Sequence, residues 1–367
     1  MNLIYYYPME KGAPAEVGRN ILKKLLDHSQ ILPFEEIKLF CKEKYAPEIR
    51  KSFDLDIITY KNLNKISKHD LVHIPILPTI LPNAKFLLYL YTKLTKKGKL
   101  ILQYHGDVRK ELKSSYKDII SLIHTLTYVF VPYLLRSANR VITHSYYMNG
   151  IITKYGVEKS IVIPNAINEY WYQKDVVYEK NSSTGINHNL FNIFYHGRLS
   201  WEKGVDVLIE AFGHYTKNNP NTTIYLAGEG SQKKKLEDSC LKWNIDKKVI
   251  FLGNIDKEQI TFFLKNVDVA IYPSRFDNFP LAVLEALACA NCPVYFSKNI
   301  GIYDFVIQDG FKLNSFEPEV TNLIKVLDSA SCKSKNIVDQ QIQFAKNYTW
   351  SHVISEYIEL YRDVINE

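Results

Sequence analysis

The sequence predicts an α/β protein with two doubly wound domains, each built from a parallel β-sheet and crossover helices. Short apolar runs alternate with amphipathic helical stretches along the chain, a pattern typical of parallel strands joined by helices. The length of 367 residues suffices for two hydrophobic cores. Residues 173–192 are polar, rich in Ser, Asn and Gly, and without an apolar period, which indicates a linker between the domains.

The predicted first domain comprises residues 1–172, and the second comprises residues 193–349. In the first domain the apolar runs predict strands at Leu3–Tyr7, Leu71–Ile74, Leu100–Tyr104, Arg140–Thr143 and Ile161–Ile163. In the second domain they predict strands at Ile193–His196, Thr223–Ala227, Val249–Leu252, Val269–Tyr272 and Pro293–Phe296. Ligands of such sheets bind at the carboxyl ends of the strands, so residues that directly follow a strand are the first candidates for a site.

The composition favours a globular cytoplasmic protein. The hydrophobic fraction is 46% and charges are spread throughout, which argues against disorder. No run of about 18 uncharged apolar residues is present, so no transmembrane helix is expected. The first residues lack the pattern of a secretory signal. Five scattered cysteines argue against a disulfide framework and fit a reducing compartment.

Charge is distributed unequally between the two halves. Residues 1–180 carry 27 Lys and Arg against 17 Asp and Glu, whereas residues 181–367 carry 19 against 22. A basic half indicates an acidic partner or an anionic membrane surface, and a merely solvated basic face is the alternative. The basic residues lack the interleaved aromatics of a nucleic-acid-binding module, so no nucleic acid is expected as a partner.

The basic segment Lys93–Lys117 is followed by the apolar stretch Ile119–Leu135. One interpretation is a surface of the first domain that docks on anionic lipid and presents a lipid-linked acceptor. The other is a buried crossover helix flanked by solvated lysines. His124 and Pro132 within the stretch favour the second interpretation, because they suit neither membrane insertion nor a clean amphipathic helix.

The stretch HGRLSWEKGVDVLIEAF, residues 196–212, predicts a strand end, a turn and an amphipathic helix. The turn holds Arg198 and Lys203, two cations at the mouth of the helix, where a doubly charged phosphate group is bound well. The alternative is an exposed surface pair near Glu202.

A second stretch, SRFDNFPLAVLEALA at residues 274–288, places Asp277 and Glu285 eight positions apart across a loop and a helix start. Carboxylates accept hydrogen bonds from vicinal hydroxyls, so this stretch suits a hydroxyl-rich group. An alternative role for Asp277 is the N-cap of the helix that begins near Pro280. Cations for a diphosphate and carboxylates for hydroxyls together indicate a nucleotide-sugar.

These stretches resemble the retaining glycosyltransferases of family 4, which have the GT-B fold of two Rossmann-like domains facing across a cleft. The resemblance extends to LAGEG at 226–230 and VIFLGNIDKEQITFFLKNVDVAIYPS at 249–274, and in the first half to YHGD at 104–107, RSANRVITHS at 136–145 and VIPNAIN at 162–168. The last stretch, residues 350–367, is similar to the family's terminal helix, which joins the first, acceptor-binding domain. The second domain is then expected to bind the nucleotide-sugar.

The resemblance implies roles for several residues of the second domain. Arg198 and Lys203 are expected to bind the donor diphosphate and to stabilise charge on the leaving oxygen during catalysis. Glu285 is expected to bind the ribose hydroxyls, and Asp277, where the family usually has Glu, is expected to act on the sugar as a catalytic residue. The loop offers backbone N–H groups to the donor from Asn278, Phe279 and Leu281, since Pro280 has none.

Three residues of the first domain receive roles from the same resemblance. His105 is expected to lie against the donor sugar as a catalytic residue, with a capping or core histidine as the alternative. Asp107 is a candidate for acceptor binding. Gly12 belongs to the loop that approaches the phosphates, although Lys11 replaces the second glycine that is common there.

The resemblance implies a retaining transferase that moves a hexose from a nucleotide-sugar to a glycan or lipid-linked glycan, in the cytoplasm or on the cytoplasmic face of the membrane. No carboxylate pair poised as nucleophile and acid is evident, and the resemblance implies front-face substitution. No metal-ligand pattern stands at a strand end, so neither a metal nor another cofactor is expected. The alternatives are a sugar-nucleotide epimerase on the same fold and a non-catalytic module that binds nucleotide or glycan.

Overall fold

The computed structural model describes residues 1–10, 12–78, 83–106, 129–172, 185–330 and 335–367. The chain divides into two compact units, the first formed by Met1–Ala166 with Trp350–Glu367 and the second by Ile167–Thr349. The sequence predicts the end of the first domain at residue 172, and the observed division lies between residues 166 and 167. Most of the predicted linker lies outside the described residues.

The first unit holds a parallel sheet whose described strands run in the order β3-β2-β1-β4-β5-β6-β7. These strands are β1 Leu3–Tyr6, β2 Ile37–Phe40, β3 Ile57–Ile58, β4 Leu71–Ile74, β5 Lys99–Tyr104, β6 Arg140–Thr143 and β7 Ser160–Val162. The described helices of this unit are α1 Ala13–Asp27, α2 Ala46–Ser52, α3 Ala84–Thr95 and α4 Tyr146–Lys154, and residues 129–136 are also helical.

The second unit holds a parallel sheet of described strands in the order β10-β9-β8-β11-β12-β13. Its strands are β8 Phe191–His196, β9 Thr222–Ala227, β10 Val249–Gly253, β11 Val269–Tyr272, β12 Val294–Ser297 and β13 Ser315–Phe316. Its described helices are α5 Val205–Tyr215, α6 Lys233–Trp243, α7 Lys257–Asn266, α8 Leu281–Cys289, α9 Gly301–Gln308, α10 Val320–Ala330 and α11 Lys335–Lys346.

In both sheets the order in which strands are added reverses next to the first strand of the unit. The chain adds β2 and β3 on one side of β1 and then β4 on the other, and it builds on β8 in the same way with β9 and β11. Such switch points leave a crevice at the carboxyl ends of the strands, where ligands of doubly wound sheets bind. The β1 and β11 side chains are buried throughout, as expected for strands covered by helices on both faces.

The last helix, α12 Trp350–Asn366, packs on the first unit, where its apolar face is buried. The Tyr361 hydroxyl lies 2.7 Å from Nδ1 of His73, and the Lys99 ammonium donates to the carbonyl of Val364 at 2.8 Å. The Arg362 guanidinium donates to the carbonyl of Ile31 at 2.9 Å. The helix is therefore fixed to the first unit by buried and exposed contacts.

The predicted α/β class is confirmed, and every strand predicted from an apolar run is present within two residues of its predicted ends. Three strands were not predicted, because β2 is four residues long and contains a lysine, while β3 and β13 have only two residues each. No helix among the described residues is long and apolar enough to cross a membrane. Most of the apolar stretch 119–135 and part of the basic segment 93–117 lie outside those residues.

Candidate functional site

The turn after β8 depends on a glycine. The short 3-10 helix Trp201–Lys203 ends at Gly204, which has a φ of +67° and leads directly into α5. A Cβ atom added at Gly204 would lie 2.1 Å from the carbonyl oxygen of Pro273, which belongs to the loop after β11. Because glycine has no Cβ atom, Gly204 allows the loop after β8 to pack directly against the loop after β11.

Arg275 cross-links these two loops. Its guanidinium makes two hydrogen bonds of 2.7 and 2.8 Å to the Asp206 carboxylate and a third, of 2.7 Å, to the carbonyl of Trp201. Its backbone N–H donates to the carbonyl of Glu202 at 2.8 Å. A bidentate pair of this kind fixes orientation as well as distance. Sequence reasoning did not single out Arg275, because its partner lies 69 positions away.

Both candidate phosphate-binding cations are paired with carboxylates. The Arg198 side chain is 69% exposed, and its guanidinium lies 3.3 Å from Oε1 of the buried Glu202. The Lys203 ammonium donates to Oδ2 of Asp277, and these two side chains are only 15% and 18% exposed. An anion that reaches Lys203 must therefore compete with Asp277 or bind beside it.

Asp277 does not cap helix α8. The N-cap position is occupied by Pro280, and no side chain makes a capping hydrogen bond there. The backbone carbonyl of Asp277 accepts a 2.9 Å hydrogen bond from the N–H of Gly301, and its side chain pairs with Lys203. The N-cap alternative considered from the sequence is thus wrong, because the N-cap position falls three residues after Asp277, at Pro280.

Glu285 is held by a histidine that sequence reasoning missed. Nε2 of His196 lies 3.2 Å from Oε2 of Glu285, and Nδ1 lies 2.7 Å from the Tyr272 hydroxyl. A carboxylate only accepts, so Nε2 carries the proton and Nδ1 accepts from Tyr272. The signal was present in the sequence, since His196 ends β8 and Tyr272 ends the neighbouring strand β11.

An open pocket of about 260 Å³ lies at the carboxyl ends of β8, β9 and β10. Arg198 and Glu285 both line it, so one pocket offers a cation and a carboxylate held in place by neighbours. Its remaining wall includes Gly228, Asn254 and Ile255. The arrangement suits a ligand that carries both negative charge and hydroxyl groups.

The loop before α8 is packed rather than open. Asn278 is 9% exposed and Phe279 is 3% exposed, with the Phe279 ring 5.4 Å from that of Phe305. Leu281 is the first residue of α8. The side chains of Asn278 and Phe279 shape the loop, which leaves the backbone as the part able to contact a ligand.

The structure describes two of the three site candidates of the first unit, Gly12 in the loop between β1 and α1 and His105 directly after β5. Gly12 has a φ of +110° and is the N-cap of α1. His105 follows β5, and its Nε2 lies 2.7 Å from the carbonyl oxygen of Pro75. Burial lowers the pKa of His105 to about 4. Asp107 and Lys11 lie outside the described residues.

Within the described ranges, no group of three or more His, Cys, Asp or Glu side chains is arranged to hold a metal ion. The described cysteines, Cys41, Cys240, Cys289 and Cys292, are buried and form no disulfide with one another. Burial raises the pKa of the Cys240 thiol to about 11, which suits a packing role better than a nucleophilic one.

Comparison with known proteins begins with the second unit. Residues 178–346 match the family model described as Glycosyl transferases group 1. Glycogen synthase of Mycobacterium tuberculosis is 28% identical over 236 residues, which cover 62% of this chain and 55% of that protein. The chain thus spans about half the length of the first curated relatives it matches. An uncharacterized 41.2 kDa protein from the cps region of Klebsiella pneumoniae is 24% identical over 99% of both chains.

The fold matches solved structures over the full chain. The crystal structure of Anabaena HepE in complex with UDP and glucose superimposes with a TM-score of 0.71 at 17% identity, covering 99% of this chain and 100% of that one. At this level of identity the likeness establishes the fold alone. The fold is GT-B, as the family resemblance predicts.

Proposed function

We propose that this chain, whose residues 178–346 match the glycosyl transferases group 1 family model, transfers a hexose from a nucleotide-sugar donor to a glycan or lipid-linked glycan. The observation that carries the proposal is the pocket of the second unit, where Arg198 and Glu285 line the same wall at the carboxyl ends of parallel strands. The binding of UDP and glucose by HepE, which has the same fold, supports a nucleotide-sugar as donor.

In this proposal Arg198 and Lys203 bind the diphosphate, and Glu285 accepts hydrogen bonds from the ribose hydroxyls. Breaking the sugar–phosphate bond leaves negative charge on the departing oxygen, and cations fixed at that oxygen stabilise the transition state more than the ground state. His196 and Tyr272 hold the Glu285 carboxylate in one orientation, which lowers the entropy cost of binding the ribose.

Asp277, His105 and the backbone of the 278–281 loop are proposed to act on the sugar, and Gly12 to approach the phosphates. Asp277 also sets the resting state of the site through its ion pair with Lys203. When the diphosphate takes up the Lys203 ammonium, the Asp277 carboxylate is released to accept from a sugar hydroxyl. The exchange would couple donor binding to assembly of the sugar site.

The reaction is proposed to retain the configuration of the sugar and to need no metal. Arg198 and Lys203 supply the positive charge that a divalent cation would otherwise provide. Acceptor binding is assigned to the first unit, with Asp107 as a candidate ligand and its basic surface as a docking face for anionic lipid.

The test is a thermal-shift panel of UDP, GDP and ADP and their glucose derivatives in the presence of EDTA. The wild type should be stabilised by one nucleotide series, and Arg198→Ala should lose that shift. Lys234→Ala is the matched control, because Lys234 is an exposed cation paired with Asp238 away from the pocket. The anomeric configuration of the product, followed by NMR during turnover, then tests retention.

The outcomes separate the competing functions. Transfer or hydrolysis of the donor with release of nucleoside diphosphate supports a transferase. Interconversion of the sugar with the nucleotide still attached would instead indicate an epimerase. Nucleotide binding without turnover would indicate a binding module, and no shift with any nucleotide would overturn the proposal.

A further inference from the structure

The tautomer of His105 is set by a backbone carbonyl. Its Nε2 lies 2.7 Å from the oxygen of Pro75, and a carbonyl oxygen can only accept a hydrogen bond. Nε2 therefore carries the proton, and in the neutral ring Nδ1 is the acceptor nitrogen. Pro75 directly follows β4, the strand next to β5, so two adjacent strand ends fix this ring.

A second histidine, His144, is fixed in the opposite tautomer. Its Nδ1 lies 2.8 Å from the carbonyl oxygen of Ile163, so Nδ1 carries the proton. Its Nε2 lies 2.9 Å from Nε2 of Gln103, so the Gln103 amide donates to it. The same amide group lies 3.2 Å from the Tyr357 hydroxyl on α12. The two amide protons of Gln103 thus have two acceptors.

These groups form a buried layer on which His105 rests. The rings of His105 and His144 have centroids 4.5 Å apart, and His144 and Gln103 are both fully buried. A proton added to Nε2 of His144 would point at the amide N–H of Gln103, so the layer disfavours a charged His144. Burial and the nearby His105 likewise lower the pKa of His144.

Among the described residues, three charged or titratable groups near His105 all oppose protonation of its ring. Lys85 on α3 and the buried histidines His73 and His144 are electrostatic neighbours of His105. A positive charge on any of them opposes protonation of the His105 ring. His73 is itself fully buried, and its Nδ1 is occupied by the Tyr361 hydroxyl at 2.7 Å.

From this geometry we propose that Gln103 and His144 are positioning residues that hold the neutral His105 ring against the Pro75 carbonyl, which keeps its proton on Nε2. The inference rests on the proposed function for its consequence: toward a substrate hydroxyl, His105 would act through Nδ1 as an acceptor rather than as a cation or proton donor. To accept from a hydroxyl in one geometry, the His105 ring must keep one orientation, and the buried layer of Gln103 and His144 fixes that orientation.

The first experiment needs no substrate. Protein labelled with ¹⁵N-histidine is examined by two-bond ¹H–¹⁵N NMR between pH 5.5 and 8, with the His105 signals assigned by loss in His105→Gln. The expected result is a neutral His105 protonated on Nε2 and a neutral His144 protonated on Nδ1 across this range. A His105 that carries its proton on Nδ1, or that becomes charged near pH 6.5, would overturn the proposal.

The second experiment asks whether the layer holds the ring. Gln103→Leu removes the donor to His144, and His105 is expected to show both tautomers or a titration closer to that of a free histidine. Tyr5→Phe is the matched control, because the buried Tyr5 hydroxyl donates to the carbonyl of Gly18 and contacts neither Gln103 nor His144. An unchanged His105 spectrum in a folded Gln103→Leu variant would contradict a positioning role.

Kinetics link the layer to turnover. With UDP-glucose as the probe, Gln103→Leu should lower kcat by on the order of 10-fold at little change in KM, because a misplaced ring affects the reacting geometry more than donor binding. Equal falls in Tyr5→Phe would indicate a general loss of packing. Absence of turnover in the wild type would count against the proposed function, while the NMR result would still decide the tautomer.

Discussion

The carboxyl edge of the second sheet carries charge in pairs, whereas that of the first sheet carries buried neutral groups. Arg198, Lys203 and Arg275 each contact a carboxylate. On the first sheet the Gln103 amide instead donates to His144, and His105 and His144 each donate to a backbone carbonyl. The difference teaches that ion pairs hold the side chains at one edge, whereas hydrogen bonds between neutral groups and backbone carbonyls hold them at the other.

Acidification tests the neutral side of this comparison and has the largest expected effect. Burial holds the pKa of His73 at about 3 and that of His105 at about 4, while an unfolded histidine takes up its proton near pH 6.5. The unfolded chain therefore binds more protons between pH 6.5 and 4. The free energy of unfolding of the first unit should fall over that range by on the order of several kcal/mol, measured by urea denaturation at each pH.

Glu356 on α12 opposes this acid-induced fall in the free energy of unfolding, and replacing Glu356 provides a control. Burial and the neighbouring Glu359 raise the pKa of Glu356 to about 7, so on acidification the folded state takes up this proton before the unfolded chain does. Glu356→Gln should therefore raise stability at pH 8 and steepen the fall below pH 6.5. If hydrogen exchange showed that acid destabilises both units equally, the contrast drawn between the two units would be refuted.

Removing a cation tests the charged side. Lys203→Ala is expected to lower kcat by roughly 10²- to 10³-fold, because a fixed positive charge at the leaving oxygen is lost. Steady-state hydrolysis of the nucleotide-sugar found in the binding panel measures the effect. Lys234→Ala should remain near wild type, and activity retained in Lys203→Ala would remove this residue from the proposed machinery.

Gly204→Ala tests whether the paired charges depend on close contact between loops. The added Cβ would meet the Pro273 carbonyl oxygen in a left-handed backbone position, so a loss of roughly 3 kcal/mol in the free energy of unfolding is expected. Gly150→Ala is the control, since Gly150 lies in helix α4 with open space around it and alanine there should stabilise by about 0.5–1 kcal/mol. Equal effects by thermal denaturation would refute the packing argument.

Asp277→Asn has the smallest expected effect, and it tests most directly whether the ion pair with Asp277 restrains Lys203. Without the carboxylate, Lys203 is available to phosphate, so UDP binding should tighten by roughly 1 kcal/mol while turnover of the nucleotide-sugar falls. Calorimetric titration of UDP measures the first change. Asp238→Asn, at an exposed pair, should alter neither quantity, and weaker UDP binding by Asp277→Asn would show that the pair does not restrain Lys203.

The parallel sheets could be predicted from the sequence because buried strands are continuous apolar runs, as in β1 and β11. Strands as short as β3 have too few residues to show a pattern of apolar and polar side chains. Arg198, Lys203, Asp277 and Glu285 could be chosen from motif and charge type. Their partners could not, because the Lys203–Asp277 and His196–Glu285 contacts join residues 74 and 89 positions apart, and only the folded sheet brings those strand ends together.

The chain leaves the first unit after Ala166 and returns to it at Trp350, and Ile167 and Thr349 lie side by side, with the N–H of Ile167 bonded to the carbonyl of Tyr348. During synthesis, the ribosome therefore delivers the whole second unit before it delivers α12. His73 and Gln103 therefore gain their partners Tyr361 and Tyr357 only after the whole second unit has been synthesised. The nascent second unit can complete its core first, and the first unit lacks α12 until then, which gives chaperones a longer time to engage it.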